Sequence, residues 1–105
     1  MGYRFIDQYS LLHVASGIIA YFFGLSVTKW FMIHLIFELI ENTDQGIVII
    51  NKYFTFWPGG KPYADSMINI ISDQTFSIIG FYLANMVDYL GNVYGLYPKH
   101  INHQI

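Results

Sequence analysis

An uncharged apolar stretch near the start of the chain constrains the fold more than any other feature. Between Gln8 and Thr28 there is no acidic side chain, lysine or arginine, and His13 is the one basic residue. A helix of this length crosses a hydrocarbon core of about 30 Å. Of the 105 residues, 54% are hydrophobic and 11% are charged, whereas about 25% of residues are charged in typical soluble proteins. We therefore predict an all-α polytopic membrane protein, and the alternative is an oligomeric water-soluble helical protein.

The charge balance and the missing residue types exclude several functions. A net charge of -2 and a pI near 6.0 leave no basic stripe to displace phosphate counterions, so no nucleic-acid partner is expected. Zero cysteines exclude disulfides, thiolate metal sites and a cysteine nucleophile. We also predict no cofactor.

Turn residues divide the chain into three predicted transmembrane helices within a single domain, residues 1–105. The run Asn42-Thr43-Asp44-Gln45-Gly46 interrupts the second helix and favours a broken or re-entrant segment. The run Trp57-Pro58-Gly59-Gly60-Lys61-Pro62 is typical of a loop. The predicted spans are 9–27, 29–50 with a break near 42–46, and 65–90, followed by an interfacial tail at 91–105.

Polar side chains recur at helical spacing within this apolar chain. His34, Glu38 and Glu41 fall within about 60° of one another on a helix, so all three face one direction. A second stripe on the third predicted helix and His13 on the first are expected to turn toward the same interior, because an unpaired acid in apolar surroundings is costly. The candidate binding residues are Asp7, His13, His34, Glu38, Glu41, Asn42, Asp65, Asn69 and Asp73, and the candidate catalytic residues are Glu38, Glu41, Asp73 and His13.

Two interpretations of this polar set stay open. In the first, it is a hydrogen-bonded core that holds the helices together. In the second, it is a functional site: two acids within one helical turn repel when both are ionised, so one is expected to hold a proton or share a cation at neutral pH. The spacing H-x-x-x-E-x-x-E is not a recognised metal-ligand pattern, and the ExxH pairs of di-iron bundles are absent, so no metal site is predicted.

Three motifs follow one another along the chain and together cover most of it. The first is Asp7 to Gly17, which fits D-x-Y-[ST]-x-x-H-x-x-x-G, and the second is Phe37 to Thr43, which fits W-E-x-x-E-N-T with Phe37 in place of the tryptophan. The third is Ala64 to Asp73, which fits G-D-S-x-x-N-S-x-x-D with Ala64 and Ile70 in place of the glycine and the second serine, and it is followed by Gly80 to Ala84, which fits G-F-x-L-A.

In these motifs the chain resembles an uncharacterised family of small bacterial inner-membrane proteins that is similar to VanZ-like proteins. It departs from the family at Ser16, where a second histidine is common, and at Asn51-Lys52-Tyr53, where the family has R-Y-R. The resemblance implies a protein of the bacterial inner membrane and cell envelope, and the VanZ relatives imply glycopeptide or lipoglycopeptide resistance by an unknown mechanism. Organellar and viral membranes are alternative locations.

Two functional hypotheses follow from these observations. In the first, an integral membrane protein binds or acts on a lipid or envelope headgroup, or a proton, through its buried histidine, glutamate, asparagine and aspartate residues. The expected partner is then membrane lipid. In the second, the chain is a structural or accessory subunit of a larger membrane complex, with protein partners and no chemistry of its own. The sequence leaves open whether the protein is an enzyme.

Overall fold

The computed structural model describes residues 5–55 and 64–96, and they form helices with no strand among them. The predicted loop at residues 57–62 and the end of the predicted tail lie outside the described residues. The helices are α1 (Ser10–Phe22), α2 (Val27–Glu41), α3 (Asp44–Tyr53) and α4 (Met67–Val93).

Hydroxyl side chains define where three of the helices begin. Ser26, Thr43 and Ser66 each have extended backbone and accept a hydrogen bond from the backbone N–H three residues later, at the start of α2, α3 and α4 respectively. Each hydroxyl satisfies one of the N–H groups that a helix leaves unpaired in its first turn. The helix starts are therefore encoded locally.

The first helix is shorter than the sequence suggested. It ends at Phe22 rather than near residue 27, because Gly24 adopts a positive φ of 82°. In this conformation the N–H of Gly24 donates to the carbonyl of Tyr21, and the N–H of Leu25 donates to that of Ala20. Glycine adopts such a conformation without the steric penalty of other residues, and these bonds close the C-terminus of α1.

The predicted break near residues 42–46 is a sharp turn between two separate helices. α2 ends at Glu41 and α3 begins at Asp44. Gly46 lies directly against the end of α2, and a Cβ atom at this position would overlap the carbonyl oxygen of Ile40. The glycine therefore permits the close approach of the two helices.

The described helices do not support the predicted membrane spans. α1 and α2 have 13 and 15 residues, which is about 20 Å each at 1.5 Å per residue. α4 has 27 residues, but polar side chains including Asn69, Asp73 and Asp88 interrupt its apolar sequence. None of the described helices combines the length and the apolarity that a membrane crossing requires. The predicted polytopic membrane fold, the integral membrane location and the cell-envelope assignment are therefore wrong, and the expectation of a lipid partner loses this basis.

Small residues bring α1 and α4 into close contact. A Cβ atom at Gly17 would overlap the carbonyl oxygen of Ser77, and one at Gly80 would overlap that of Val14. The two backbones therefore touch at this crossing, which neither glycine could permit if it carried a side chain. The apolar core next to the crossing consists of Ala20, Tyr21, Phe81 and Ala84.

Most of the buried side chains are polar. Glu38, Ser72 and Ser77 are fully enclosed, whereas Leu11 and Phe23 are 76% and 80% exposed. The polar interior lies between α1, α2 and α4, and it contains most of the residues that the sequence analysis selected. The other buried polar or charged residues are Ser10, His13, His34, Glu41, Asn69, Asp73, Gln74 and Asp88.

Candidate functional site

Two histidines from different helices meet in the polar interior. His13 of α1 and His34 of α2 are both buried, and their rings meet edge to face with centroids 5.0 Å apart. His13 Nδ1 lies 2.9 Å from His34 Nε2, which is hydrogen-bonding distance. One of the two nitrogens must therefore donate a proton and the other must accept it.

Gln74 of α4 determines which nitrogen donates. Its amide Nε2 donates to the carbonyl of Phe31, so its Oε1 faces His34 Nδ1 at 2.7 Å and can only accept. His34 therefore carries its proton on Nδ1 and donates it to Gln74. In the neutral ring Nε2 is then an acceptor, and His13 Nδ1 donates to it.

Burial keeps His34 neutral. Desolvation is the largest effect and lowers the pKa of His34 from 6.5 to about 4. The hydrogen bond with Gln74 opposes this lowering, the electrostatic effect of His13 adds to it, and that of Asp73 opposes it. Neutral imidazole is the form of histidine that binds metal ions. At neutral pH, His34 is therefore in the protonation state of a metal ligand, and a cation at its Nε2 would replace the hydrogen bond from His13.

The other nitrogen of His13 faces two carboxylates. His13 Nε2 is 3.2 Å from Asp73 Oδ2 and 3.6 Å from Glu38 Oε1. Because His13 Nδ1 already donates to His34, a neutral ring would point an unprotonated Nε2 at two acceptor oxygens. A proton or a cation must therefore lie between these three groups: a proton on His13 Nε2, a proton on one of the carboxyl groups or a bound cation would satisfy them.

Four carboxyl groups converge beside the histidines. Glu38, Glu41, Asp65 and Asp73 each bring one oxygen within 4.8 Å of the others. All but Asp65 are buried. Asp73 Oδ1 is fully enclosed and has no hydrogen-bond partner among the described residues. Carboxylates packed this closely repel one another, so the group favours a bound cation or proton.

Asparagines connect the carboxylates to the backbone. Asn42 Nδ2 donates to the backbone carbonyl of Glu38, and Asn42 Oδ1 accepts from the N–H of Asp65 at 2.7 Å. Asn69 Nδ2 donates to Asp7 Oδ2 at 3.2 Å. Asn42 therefore fixes Asp65 beside Glu38, and Asn69 joins the segment before α1 to α4.

Two ligand sets share one residue. His13, His34 and Glu38 form the first set, and Glu38 with the other three carboxylates forms the second, with the ligand atoms of each set within 4.8 Å of one another. Two ligands on a cation with bonds of about 2.1 Å stand roughly 3 to 3.5 Å apart. The His13–Asp73 and His13–Glu38 distances are 3.2 and 3.6 Å, so small movements would suffice for coordination.

An apolar pocket opens onto the histidines. It encloses about 230 Å³ between α1 and α2. His13 and His34 form part of its wall through ring carbons, because the surface that the pocket exposes is entirely apolar, so the pocket lies next to the polar interior. The remaining lining residues are Leu12, Ser16, Trp30, Ile33 and Phe37.

The residues that orient the histidines are not among the candidates predicted from the sequence. Gln74 bonds His34, and Trp30 Nε1 donates to the carbonyl of Ser77 at 3.2 Å while its ring packs against His34. A signal for Gln74 was present, because an amide follows Asp73 directly at the start of the apolar half of α4. The contact of Trp30 depends on the crossing of α2 and α4, which spacing within one helix does not reveal.

No protein-family model, no curated protein and no solved structure matches this chain. Nothing in these comparisons bears on the resemblance to VanZ-like proteins, which stays a prediction. The function is therefore argued from the geometry of the site.

Proposed function

We propose that this protein binds divalent transition-metal ions in its polar interior. The observation that carries the proposal is the convergence of His13, His34 and Glu38 with Asp73, whose buried Oδ1 has no hydrogen-bond partner among the described residues. Imidazole and carboxylate together suit zinc, iron, nickel or manganese rather than calcium or magnesium alone. A bound cation would also supply the positive charge that His13 Nε2 and the two carboxylates require.

The arrangement also resembles that of metal-ligating histidines in general. Such histidines donate their second ring N–H to an oxygen acceptor, which fixes the ring and its tautomer. His34 does so to Gln74 Oε1 at 2.7 Å. Its Nε2 lies 3.9 Å from Glu38 Oε1 and accepts from His13 Nδ1, so it would bind a cation in exchange for that hydrogen bond. A hydrogen-bonded polar core without a metal is the competing function, and it needs no such orientation.

The ligand sets are suited to hydrolytic chemistry. Glu38 belongs to both sets, and a carboxylate shared by two cations is a common feature of two-metal hydrolytic sites. A metal held by these residues would lower the pKa of its bound water. A carboxylate of the second set that does not itself ligate the metal would be placed to hold the proton released by that water. We therefore propose metal-assisted hydrolysis as the reaction class.

Metal titration of purified protein tests the proposal. The protein is stripped with a chelator, and its Zn²⁺ affinity is measured by competition with a chromophoric chelator. We expect tight binding that Glu38→Gln weakens at least about 10-fold, because the neutral amide is a poor ligand in the position shared by both sets. X-ray absorption of the zinc protein should show a shell of nitrogen and oxygen atoms that includes imidazole.

Asp44→Asn is the matched control, because Asp44 is an exposed acid at the start of α3, outside both ligand sets. It removes the same charge and should leave Zn²⁺ affinity unchanged. Circular dichroism should show that both variants keep the helix content of the parent. Equal Zn²⁺ affinity of Glu38→Gln and the parent would overturn the proposal and favour a structural polar core or accessory subunit.

A further inference from the structure

The pocket between α1 and α2 is the cavity that bears most directly on what this site accepts. Of its seven lining residues, His13 and His34 also belong to the first ligand set. A molecule in the pocket therefore contacts carbon atoms of the two imidazoles, next to the first ligand set. At about 230 Å³ the pocket lies below the usual range of about 300 to 1,000 Å³ for drug-sized ligands.

The wall of the pocket offers hydrocarbon and aromatic surface. Leu12, Ile33 and Phe37 contribute apolar side chains. Ser16, the one hydroxyl in the wall, donates its hydrogen to the carbonyl of His13 at 2.7 Å, so that donor is used within α1. A polar group in this pocket would lose its water without gaining a donor from the serine, which favours an apolar occupant.

The pocket is also held in a defined shape. Trp30 forms one side, and its indole Nε1 donates to the backbone carbonyl of Ser77 on α4. Its ring packs against His34 with centroids 5.2 Å apart. Because this wall is already ordered, it loses little conformational entropy when a ligand binds.

We infer that this pocket binds the apolar chain or ring of a small amphiphilic ligand whose anionic oxygen head reaches the metal site. The inference rests on the proposed metal binding, since the cation attracts the head, while the pocket selects the apolar part. A short alkyl chain or a single ring matches the volume. The site thereby takes small apolar acids or esters rather than sugars or nucleotides.

A chain-length series tests the inference. Alkyl hydroxamic acids, which chelate zinc through two oxygens, are titrated into the Zn²⁺-loaded protein from acetohydroxamate to octanohydroxamate. Each methylene that enters the pocket should tighten the dissociation constant about fourfold until the pocket is full. The indole N–H resonance of Trp30 should shift with the longer members, which reports occupancy of the pocket independently of the metal.

Two matched tryptophan substitutions on α2 distinguish ligand binding in the pocket from ligand binding at the metal. Ile33→Trp fills the pocket, and Ile36→Trp makes the same change at an exposed position outside it. We expect Ile33→Trp to abolish the chain-length effect while its affinities for Zn²⁺ and acetohydroxamate stay within about twofold of the parent. Ile36→Trp should keep the full effect.

The outcomes distinguish the two proposals. Zn²⁺ binding without a chain-length effect, or with an effect that survives Ile33→Trp, overturns the pocket inference and leaves the metal proposal standing. Failure of the protein to bind Zn²⁺ overturns the metal proposal. If the protein does not bind Zn²⁺ and octanohydroxamate also leaves the Trp30 indole resonance unchanged, the pocket inference is overturned too. If octanohydroxamate shifts that resonance in the parent but not in Ile33→Trp, the pocket remains an apolar binding site.

Discussion

For each histidine in the polar interior, a neighbouring residue determines which ring nitrogen carries a proton. Gln74 is itself oriented by the backbone of Phe31, and it orients His34, which in turn receives the proton of His13 Nδ1. This leaves His13 Nε2 directed at Asp73 and Glu38. One amide on α4 therefore controls the direction of hydrogen bonds across all three helices, and it does so without touching the carboxylates.

Replacing Gln74 tests this control. Gln74→Leu removes the acceptor for His34 Nδ1–H, so the ring is free to adopt the other tautomer, with Nε2 protonated. We expect Zn²⁺ affinity to fall about 10- to 100-fold, the usual effect of losing the partner of a ligating histidine. Nitrogen NMR of the imidazoles should show His34 losing its single tautomer.

Thr75→Val serves as the control for Gln74→Leu, because Thr75 is an exposed neighbour whose hydroxyl bonds only to the carbonyl of Ile71 in its own helix. It should leave both the affinity and the imidazole spectrum unchanged. A Gln74→Leu protein with the parent's tautomer and affinity would show that the amide does not position His34.

At the residue scale, helical periodicity predicted many of the residues of the candidate site. Helical spacing placed His34, Glu38 and Glu41 on one face, and the structure buries all three. The meeting of His13 with His34, across two helices, was not specified by spacing, because it depends on how α1 and α2 cross α4. The two proposed ligand sets could not be predicted for the same reason: their members come from separate elements, so no single linear pattern contains them.

The crossing of α1 and α4 is the element-scale feature that holds the site together. Gly17 and Gly80 let the two backbones touch, and this brings His13 of α1 close to Asp73 of α4. Both glycines lie in helices, where glycine costs about 1 kcal/mol relative to alanine. The close approach requires them in spite of that cost.

A side chain at Gly17 should force the two helices apart. Gly17→Leu places atoms where the carbonyl of Ser77 lies, and backbone cannot move aside as a flexible side chain can. We expect a loss of roughly 3 kcal/mol or more in the free energy of unfolding, measured by denaturant titration. Ala15→Leu introduces the same side chain at an exposed position of α1 and should change stability by less than about 0.5 kcal/mol. Equal midpoints for the two variants would refute the proposed crossing.

Helix boundaries show what the sequence could and could not specify at this scale. The break near residues 42–46 was readable from its turn residues, since Thr43 caps α3 and Gly46 permits the close turn. The end of α1 could not be read from the sequence, because the hydrophobic run continues past Phe22, whereas the helix ends before Gly24, which has a positive φ. The membrane spans were predicted by treating continuous apolar sequence as continuous helix, and that assumption failed at this glycine.

At the scale of the whole molecule, polar contacts replace much of the usual apolar core. The buried apolar cluster has four members, Ala20, Tyr21, Phe81 and Ala84. Outside it, the interior is held by polar contacts such as His13 with Asp73 and Tyr21 Oη, which donates to Asp88 Oδ2 at 2.5 Å. Buried charge of this kind is costly until it is neutralised. A cation at the site should therefore affect the stability of the entire fold.

Metal should accordingly raise the melting temperature of the whole protein. The ligands come from α1, α2, α4 and the segment before α4, so the folded chain assembles them and the unfolded chain does not. Zn²⁺ at 100 times its dissociation constant adds about 2.7 kcal/mol to the folded state. For a domain of this size that corresponds to a rise of roughly 10 to 20 °C in Tm, measured by circular dichroism with and without chelator. Glu38→Gln should lose most of this rise and Asp44→Asn should keep it. A Tm that is the same in Zn²⁺ and in chelator would rule out metal as a stabilising part of this fold.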